Sequence, residues 1–161
     1  TGVSGEIVAR GPRLMRGYWA QPEATAQAIQ DGWLFTGDLG HQDEDGYIYL
    51  AGRAKDFIKR GGEMVSPEEV EQVLRSHPLV DDAAVIGIPD LEWGEEVRAV
   101  VVARSENVRE EDLIGYCEQQ LAGFKRPRSV VFVDELPRNV MGKVLKRNLR
   151  QQFRNPMDIL E

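Results

Sequence analysis

The spacing of apolar residues changes at Arg53, and no single class of secondary structure accounts for both sides of that change. Before it, Gly5 to Arg10 alternates only weakly and stops at Gly11-Pro12, while Tyr47-Ile48-Tyr49-Leu50 has strand composition. A short helix is expected over Pro22 to Ile29, with Asp31-Gly32 as its stop. After Arg53, helix and strand signals alternate. Ser66-Pro67-Glu68-Glu69 joins an N-cap serine, a proline at the first helical position and a glutamate three residues on, which is a capping box. Val70, Val73 and Leu74 supply the apolar stripe behind it. Asp82 to Ile88, Val97 to Ala103 and Val130 to Val133 predict strands. Glu110 to Ala122 predicts a helix with Leu113, Ile114, Cys117 and Leu121 on one face and Gly123 as its stop. A last helix is expected over Lys143 to Phe153, with Val144, Leu145, Leu149 and Phe153 facing inward.

The fold class that follows is α+β. Residues 57–153 are expected to form a small domain with its own core, a short sheet and flanking helices. Residues 1–52 read as β-rich and incomplete, because a few strands without packing partners cannot bury a face. Residues 53–56 join the two regions, and 154–161 are expected to be a frayed tail. A chain of 161 residues with 42% hydrophobic content has room for one ordinary domain and part of another. A net charge of −7 argues against non-specific binding to nucleic acid or anionic membrane. The longest apolar run, Ala83 to Ile88, is far too short to span a bilayer. Cys117, the single cysteine, excludes an internal disulfide, and His41 and His77 have no metal-ligand spacing. No protein-held metal is therefore expected, and the expected location is cytoplasmic.

Asp45-Gly46 between two strand-like runs is a hairpin signal. With these residues as a two-residue turn, Glu44 faces Tyr47, and stepping outward brings Asp38 opposite Arg53 on one face. Two readings stay open on register alone. The pair is a cross-strand ion pair worth about 0.2–1 kcal/mol on a solvated surface. Alternatively it holds vicinal hydroxyls, since a carboxylate accepts two hydroxyl protons and a guanidinium donates to the same oxygens.

Other segments have comparable pairs of readings. Lys59-Arg60-Gly61-Gly62 is either a plain turn ahead of the Ser66 helix or a loop whose cations and open backbone line a ligand path. Lys125-Arg126-Pro127-Arg128 is basic but lacks interleaved aromatics, so a solvated loop is favoured over a nucleic-acid patch, with a phosphate contact second. Lys143 at the start of a helix is electrostatically unfavourable unless an anion joins it there. Gly142-Lys143 is not a phosphate loop of the Walker type, because the spaced first glycine and the following Ser or Thr are missing. Cys117 on an apolar helix face reads as core packing. Trp93-Gly94-Glu95 receives no chemical role.

Taken in order, the motifs resemble the carboxy-terminal portion of the adenylate-forming enzymes, the acyl-CoA synthetases in particular. Gly5-Glu6-Ile7, Arg10-Gly11-Pro12 and Met15-Arg16-Gly17-Tyr18-Trp19 are similar to the segment after that family's phosphate loops. Asp31-Gly32-Trp33-Leu34 followed by Thr36-Gly37-Asp38 resembles its ribose motif. Gly52-Arg53-Ala54-Lys55-Asp56-Phe57-Ile58-Lys59 resembles its hinge motif, continued by Gly61-Gly62-Glu63 and Ser66 to Glu71. Leu136-Pro137-Arg138-Asn139 leading to Gly142-Lys143 resembles its terminal lysine motif. The resemblance runs from residue 1 to about 153.

It implies a protein that joins a carboxylic acid to ATP, releases pyrophosphate, and passes the acyl group from acyl-AMP to CoA, with ATP, Mg2+ and CoA used by the complete enzyme. It assigns Asp38 and Arg53 to the ribose hydroxyls, Lys55 to the hinge, and Lys143 to the carboxylate and α-phosphate during adenylation. Gly61 and Gly62 fall on the thiol path and Lys59 on the thioester step; with CoA as the thiol, the phosphate contact that is the second reading of the basic stretch would place Arg126 at CoA. No phosphate loop or acyl pocket is present in the sequence, so a larger amino-terminal domain is expected to supply both. The chain alone is expected to be inactive. Two other readings carry less of the sequence: an adenylation domain of a modular peptide synthetase, and a non-catalytic module that binds a nucleotide or a partner protein.

Overall fold

The computed structural model describes residues 3–154; the expected tail lies almost wholly outside them. The chain divides into two compact units between Lys55 and Asp56. Both are mixed in the sense expected, with strands dominating the first and helices flanking a sheet in the second.

In the first unit, β1 (Gly5–Ala9), β2 (Ile29–Gln30), β3 (Trp33–Gln42) and β4 (Ile48–Arg53) form one antiparallel sheet with α1 (Pro22–Ala28) beside it. The central strand β3 pairs with β1 on one side, and with β2 and β4 on the other. Among the described residues, no buried hydrophobic side chain belongs to this unit; Trp19 is 95% exposed and Leu50 73%. A sheet of this size without a second layer has no core of its own.

Neither Asp-Gly pair has the role expected of it. Asp31-Gly32 is not a helix stop. It is the two-residue turn between β2 and β3, with Gln30 opposite Trp33 and both turn residues at positive φ (50° and 78°). Asp45-Gly46 belongs to a longer loop. Asp43 and Tyr47 close it, with the Asp43 amide donating to the Tyr47 carbonyl at 3.0 Å. Asp43 Oδ1 accepts from the amides of Asp45 (3.1 Å) and Tyr47 (2.8 Å), so this carboxylate organises the turn.

The second unit contains β5 (Ile58–Arg60), β6 (Glu63–Val65), α2 (Pro67–Arg75), β7 (Val80–Asp90), β8 (Gly94–Ala103), α3 (Glu110–Glu118), β9 (Ser129–Phe132) and α4 (Lys146–Gln152). Its sheet runs β6-β5-β8-β7, and β9 joins β8 as the parallel pairing. Alternate residues of β7 and β8 point to opposite faces and build two cores. Ala83, Val85, Val97, Ala99 and Val101 pack with Val70 and Leu74 of α2 and with Leu113 and Cys117 of α3. Ala84, Ile86, Ile88 and Val100 pack with Leu136, Leu149 and Phe153 on the α4 side. Burial raises the Cys117 thiol pKa to about 11, which suits a packing residue and not a nucleophile.

Ser66 caps α2 as expected, its Oγ accepting from the Glu69 amide at 3.5 Å. The Glu69 carboxylate reaches across to Lys125 Nζ at 2.7 Å. α3 is shorter than expected. It ends at Glu118, and the Arg126 side chain, not Gly123, satisfies the free carbonyls beyond it.

Candidate functional site

Asp38 and Arg53 do face each other, but two irregularities produce the pairing. From Gln42 opposite Ile48 to Gly40 opposite Leu50, the hairpin is one residue out of the register expected from a two-residue turn. A bulge then places Ala51 as an extra residue, and Leu39 opposite Gly52 restores the expected register before Asp38 meets Arg53. On its other edge, β3 departs from β1 between Glu6 and Val8. There Thr36 Oγ1 donates to the Ile7 carbonyl (2.7 Å) and accepts from the Asp38 amide (3.1 Å), while the Gly37 amide donates to Glu6 Oε1 (2.9 Å). Thr36 and Gly37 therefore fix the backbone that presents Asp38. Arg53 Nε stands 2.7 Å from Asp38 Oδ1, and both side chains remain open to solvent, at 46% and 32% exposure.

Lys55 lies in a one-turn 3-10 helix, Ala54–Asp56, directly after β4. Its neighbour Asp56 is held within the second unit by Arg150, with Nη2 3.1 Å from Oδ1.

Lys59, Gly61 and Gly62 share one feature, the β5–β6 hairpin, which the sequence reading treated as a loop before a helix. Gly61 and Gly62 are its two-residue turn, with Arg60 opposite Glu63 and φ of 58° and 88°. The Gly61 amide donates to the Trp93 carbonyl at 2.8 Å, and the Lys59 amide to Glu95 Oε2 at 2.7 Å. Trp93 thus has a structural role that the sequence did not reveal. Its ring lies where a Gly61 Cβ would be, 2.7 Å away, and the Arg60 guanidinium sits 5.8 Å from the ring centroid. Gly62 has open space where a Cβ would go. Gly61→Ala is expected to cost about 1–3 kcal/mol through its left-handed backbone, with the Trp93 clash in addition. Gly62→Ala should cost only the backbone part. Denaturant midpoints of the two variants measure the difference.

Arg126 is committed locally. Nε donates to the Leu121 carbonyl (3.0 Å), Nη2 to the Glu118 carbonyl (3.2 Å), and Nη1 lies 3.7 Å from the Glu118 carboxylate. This helix-end bonding supports the solvated-loop reading of the basic stretch over a phosphate contact.

Lys143 is not the first residue of a helix, which corrects the dipole argument. α4 starts at Lys146, and Lys143 sits in a tight turn built by Asn139. Asn139 Oδ1 accepts from the amides of Met141 (3.0 Å) and Lys143 (2.9 Å), and the Asn139 amide donates to the Lys143 carbonyl (2.9 Å). The Lys143 amide is therefore occupied, and what the residue offers is its exposed ammonium. Among the described residues, no carboxylate forms an ion pair with it.

Sequence reasoning missed a charged cluster behind this loop, made by Glu71, Arg75, Asp82, Arg138 and Lys146. The sequence singles out none of them as a partner of the others. Burial pushes the Asp82 carboxyl up, but hydrogen bonds from Arg75, the Ala83 amide and Arg138 outweigh it and hold the group below its ordinary value of 3.8. A depressed folded value means Asp82 stabilises the fold above about pH 3.8, the ordinary value, and the contribution disappears as pH falls through the lowered one. Asp82→Asn is therefore expected to flatten the acid limb of a plot of stability against pH, as followed by urea midpoints from pH 7 downward.

Among the described residues, no group of three His, Cys, Asp or Glu side chains is placed to hold a metal, and no helix is long and apolar enough to cross a membrane. The sheet with an Asp–Arg pair at a strand end, followed by a second α+β unit with an exposed lysine turn, defines a class. The chain belongs to the adenylate-forming superfamily, of which it represents the carboxy-terminal portion. Residues 69–143 match the family model of the AMP-binding enzyme C-terminal domain. A 2-succinylbenzoate–CoA ligase from Geobacillus kaustophilus is 49% identical over 149 residues, covering 92% of this chain and 30% of the relative. The ligase of the same name from Bacillus cytotoxicus is 48% identical, covering 92% and 31%. Among solved structures, ATP-bound MatB from Rhodopseudomonas palustris superposes with a TM-score of 0.90 at 43% identity, covering 96% of this chain and 31% of that one. The o-succinylbenzoate CoA synthetase MenE from Bacillus subtilis, bound to the acyl-adenylate OSB-AMP, superposes with a TM-score of 0.87 at 40% identity, covering 92% and 31%. The chain thus spans about a third of the length of the curated relatives it matches (31% for the Bacillus cytotoxicus ligase).

Proposed function

We propose that the chain is the carboxy-terminal part of an AMP-forming acid–thiol ligase that converts a carboxylic acid to acyl-AMP and then to acyl-CoA. The observation that carries this reading is the Asp38–Arg53 pair, 2.7 Å apart on one face and open to solvent. The Asp38 carboxylate accepts protons from the two ribose hydroxyls, and the Arg53 guanidinium, already aligned against it, donates to the same oxygens. Resemblance to adenylate-bound relatives supports the assignment. Lys143 brings its ammonium to the acid carboxylate and α-phosphate, where negative charge grows as the anhydride forms. Lys55, between the two compact units, is the pivot about which the second unit turns between half-reactions. Gly62, with open space at its Cβ position, lines the path of the thiol arm, with Gly61 setting the turn and Lys59 beside it. The described residues offer no ligand set to the magnesium ion that accompanies ATP, so no step here runs through it.

The two curated relatives described above are 2-succinylbenzoate–CoA ligases, while a fatty acyl CoA synthetase from Mycobacterium tuberculosis shares the same portion at 45% identity, so ligases of different acids carry it. The phosphate-binding and acid-selecting parts are expected in the region of the longer relatives that this chain does not span. The test is binding of a stable acyl-adenylate mimic to the complete enzyme, followed by calorimetry. Asp38→Ala removes hydrogen bonds to a charged group worth about 1.5–3 kcal/mol, so affinity should fall at least tenfold. Unchanged affinity would remove Asp38 from the ribose site. The chain by itself should show no ATP–pyrophosphate exchange with any acid.

A further inference from the structure

The loop that carries Lys143 is tied at both ends to one relay of charged side chains. Arg138 gives one guanidinium N–H to the Gly142 carbonyl and another to Asp82 Oδ2. Asp82 lies on β7, and its second oxygen accepts from Arg75 Nε at 3.0 Å and from the Ala83 amide at 2.8 Å. Arg75, at the end of α2, also donates to the Ala83 carbonyl at 2.5 Å and lies 3.5 Å from Glu71 Oε2. Glu71 accepts from the Val85 amide at 2.8 Å and stands 2.7 Å from Lys146 Nζ. Lys146 opens α4 three residues after Lys143. The relay leaves the loop at Arg138 and re-enters it at Lys146.

Apolar packing anchors this segment at its return, where half-buried Val144 packs against the core with Leu136 and Leu149, but it does not reach the tip. No residue between Leu136 and Leu149 is buried, and Val140 and Met141 at the tip are exposed. Asn139 sets the internal shape of the turn, but nothing in that turn orients it against the sheet. Arg138 does so, because its planar fork reaches two acceptors at once: the carbonyl immediately before Lys143 and a carboxylate on β7. A guanidinium so divided fixes a direction, which a single point charge cannot do.

We propose that Asp82 and Arg138 are positioning residues for Lys143, setting the height and direction from which its ammonium approaches the reacting phosphate. The proposal rests on the reading of Lys143 as the adenylation lysine. Neither residue touches substrate; both act through the Gly142–Lys143 peptide.

The test uses Arg138→Met and Asp82→Asn in the complete enzyme, with Lys143→Ala beside them. Adenylation is followed by ATP–pyrophosphate exchange, and thioester formation by turnover of supplied acyl-AMP with CoA. Misplacing a catalytic group by about 1 Å can cost on the order of a hundredfold. Each positioning variant should therefore lose about ten- to a hundredfold in kcat for adenylation. KM for ATP should change little, and thioester formation should stay within about twofold, because Lys143 acts only in the first step. Equal loss in both half-reactions would reduce the pair to a fold-stabilising contact and overturn the proposal. Full adenylation by both variants, alongside a crippled Lys143→Ala, would overturn it while leaving the lysine's role intact. Full adenylation by Lys143→Ala would instead remove the reading on which it rests.

Discussion

Lys143→Ala in the complete enzyme is expected to lower the adenylation rate by on the order of 10²–10³, the usual cost of removing one preorganised stabiliser of transition-state charge. Thioester formation from supplied acyl-AMP should be nearly unaffected. The geometry makes this a clean substitution. The turn around Lys143 is held by its backbone, through Asn139 Oδ1 and the Asn139 amide, and those bonds survive loss of the side chain. The ammonium is exposed and, among the described residues, enters no ion pair, so thermal stability should hardly change. Activity should therefore fall without a fall in stability, a combination that a structural lysine does not give. Lys143→Arg should recover only part of the rate, because a planar fork does not place its charge where a compact ammonium does. Losses of similar size in the two half-reactions would contradict the assignment.

Local signals were legible in the sequence where one element satisfied its own requirements. Ser66-Pro67 starts α2 because the cap and the fixed proline φ are both local, and the alternation of β7 and β8 follows from apolar residues at every second position. Signals that depended on a partner outside the motif itself were misread. Asp31-Gly32 and Asp45-Gly46 are the same dipeptide, yet only the first makes a two-residue turn. What separates them is Asp43, whose side chain claims the amides of Asp45 and Tyr47 and so lengthens the second loop. The resulting slip would have carried Asp38 past Arg53 had the extra residue Ala51 not restored the register. The pairing was therefore anticipated, but by a route that lacked both irregularities. Gly61-Gly62 was read as a loop because β5 and β6 have only three residues each, too short for any periodicity. Trp93-Gly94-Glu95 resembles a further family segment, but nothing in the sequence pointed to what the ring does. Its role depends on a glycine that is 32 positions earlier and has no side chain to betray the contact.

The charged relay was invisible for the same reason, and it leads to the largest expected effect on stability. Glu71→Ala is expected to destabilise the second unit by about 3–5 kcal/mol, the usual cost of leaving a buried charge without its partner. Glu71 is 6% exposed and Lys146 13%, with 2.7 Å between carboxylate and ammonium. The Lys146 ammonium nitrogen is buried and finds no well-directed hydrogen bond, so proximity to Glu71 is its principal compensation. Removing Glu71 also frees the Val85 amide in the middle of β7 and takes one partner from Arg75. Replacing both charges by apolar groups of similar size avoids these penalties. Glu71→Leu with Lys146→Met should recover most of the loss, and a double-mutant cycle in urea would show strong coupling. Additive losses would mean that the two groups do not compensate each other. Asp38→Ala provides the contrast, because an exposed pair contributes only about 0–1 kcal/mol. Two ion pairs with the same 2.7 Å separation thus divide their roles by burial. The buried one ties the start of α4 to α2, and the exposed one keeps both of its side chains open to solvent.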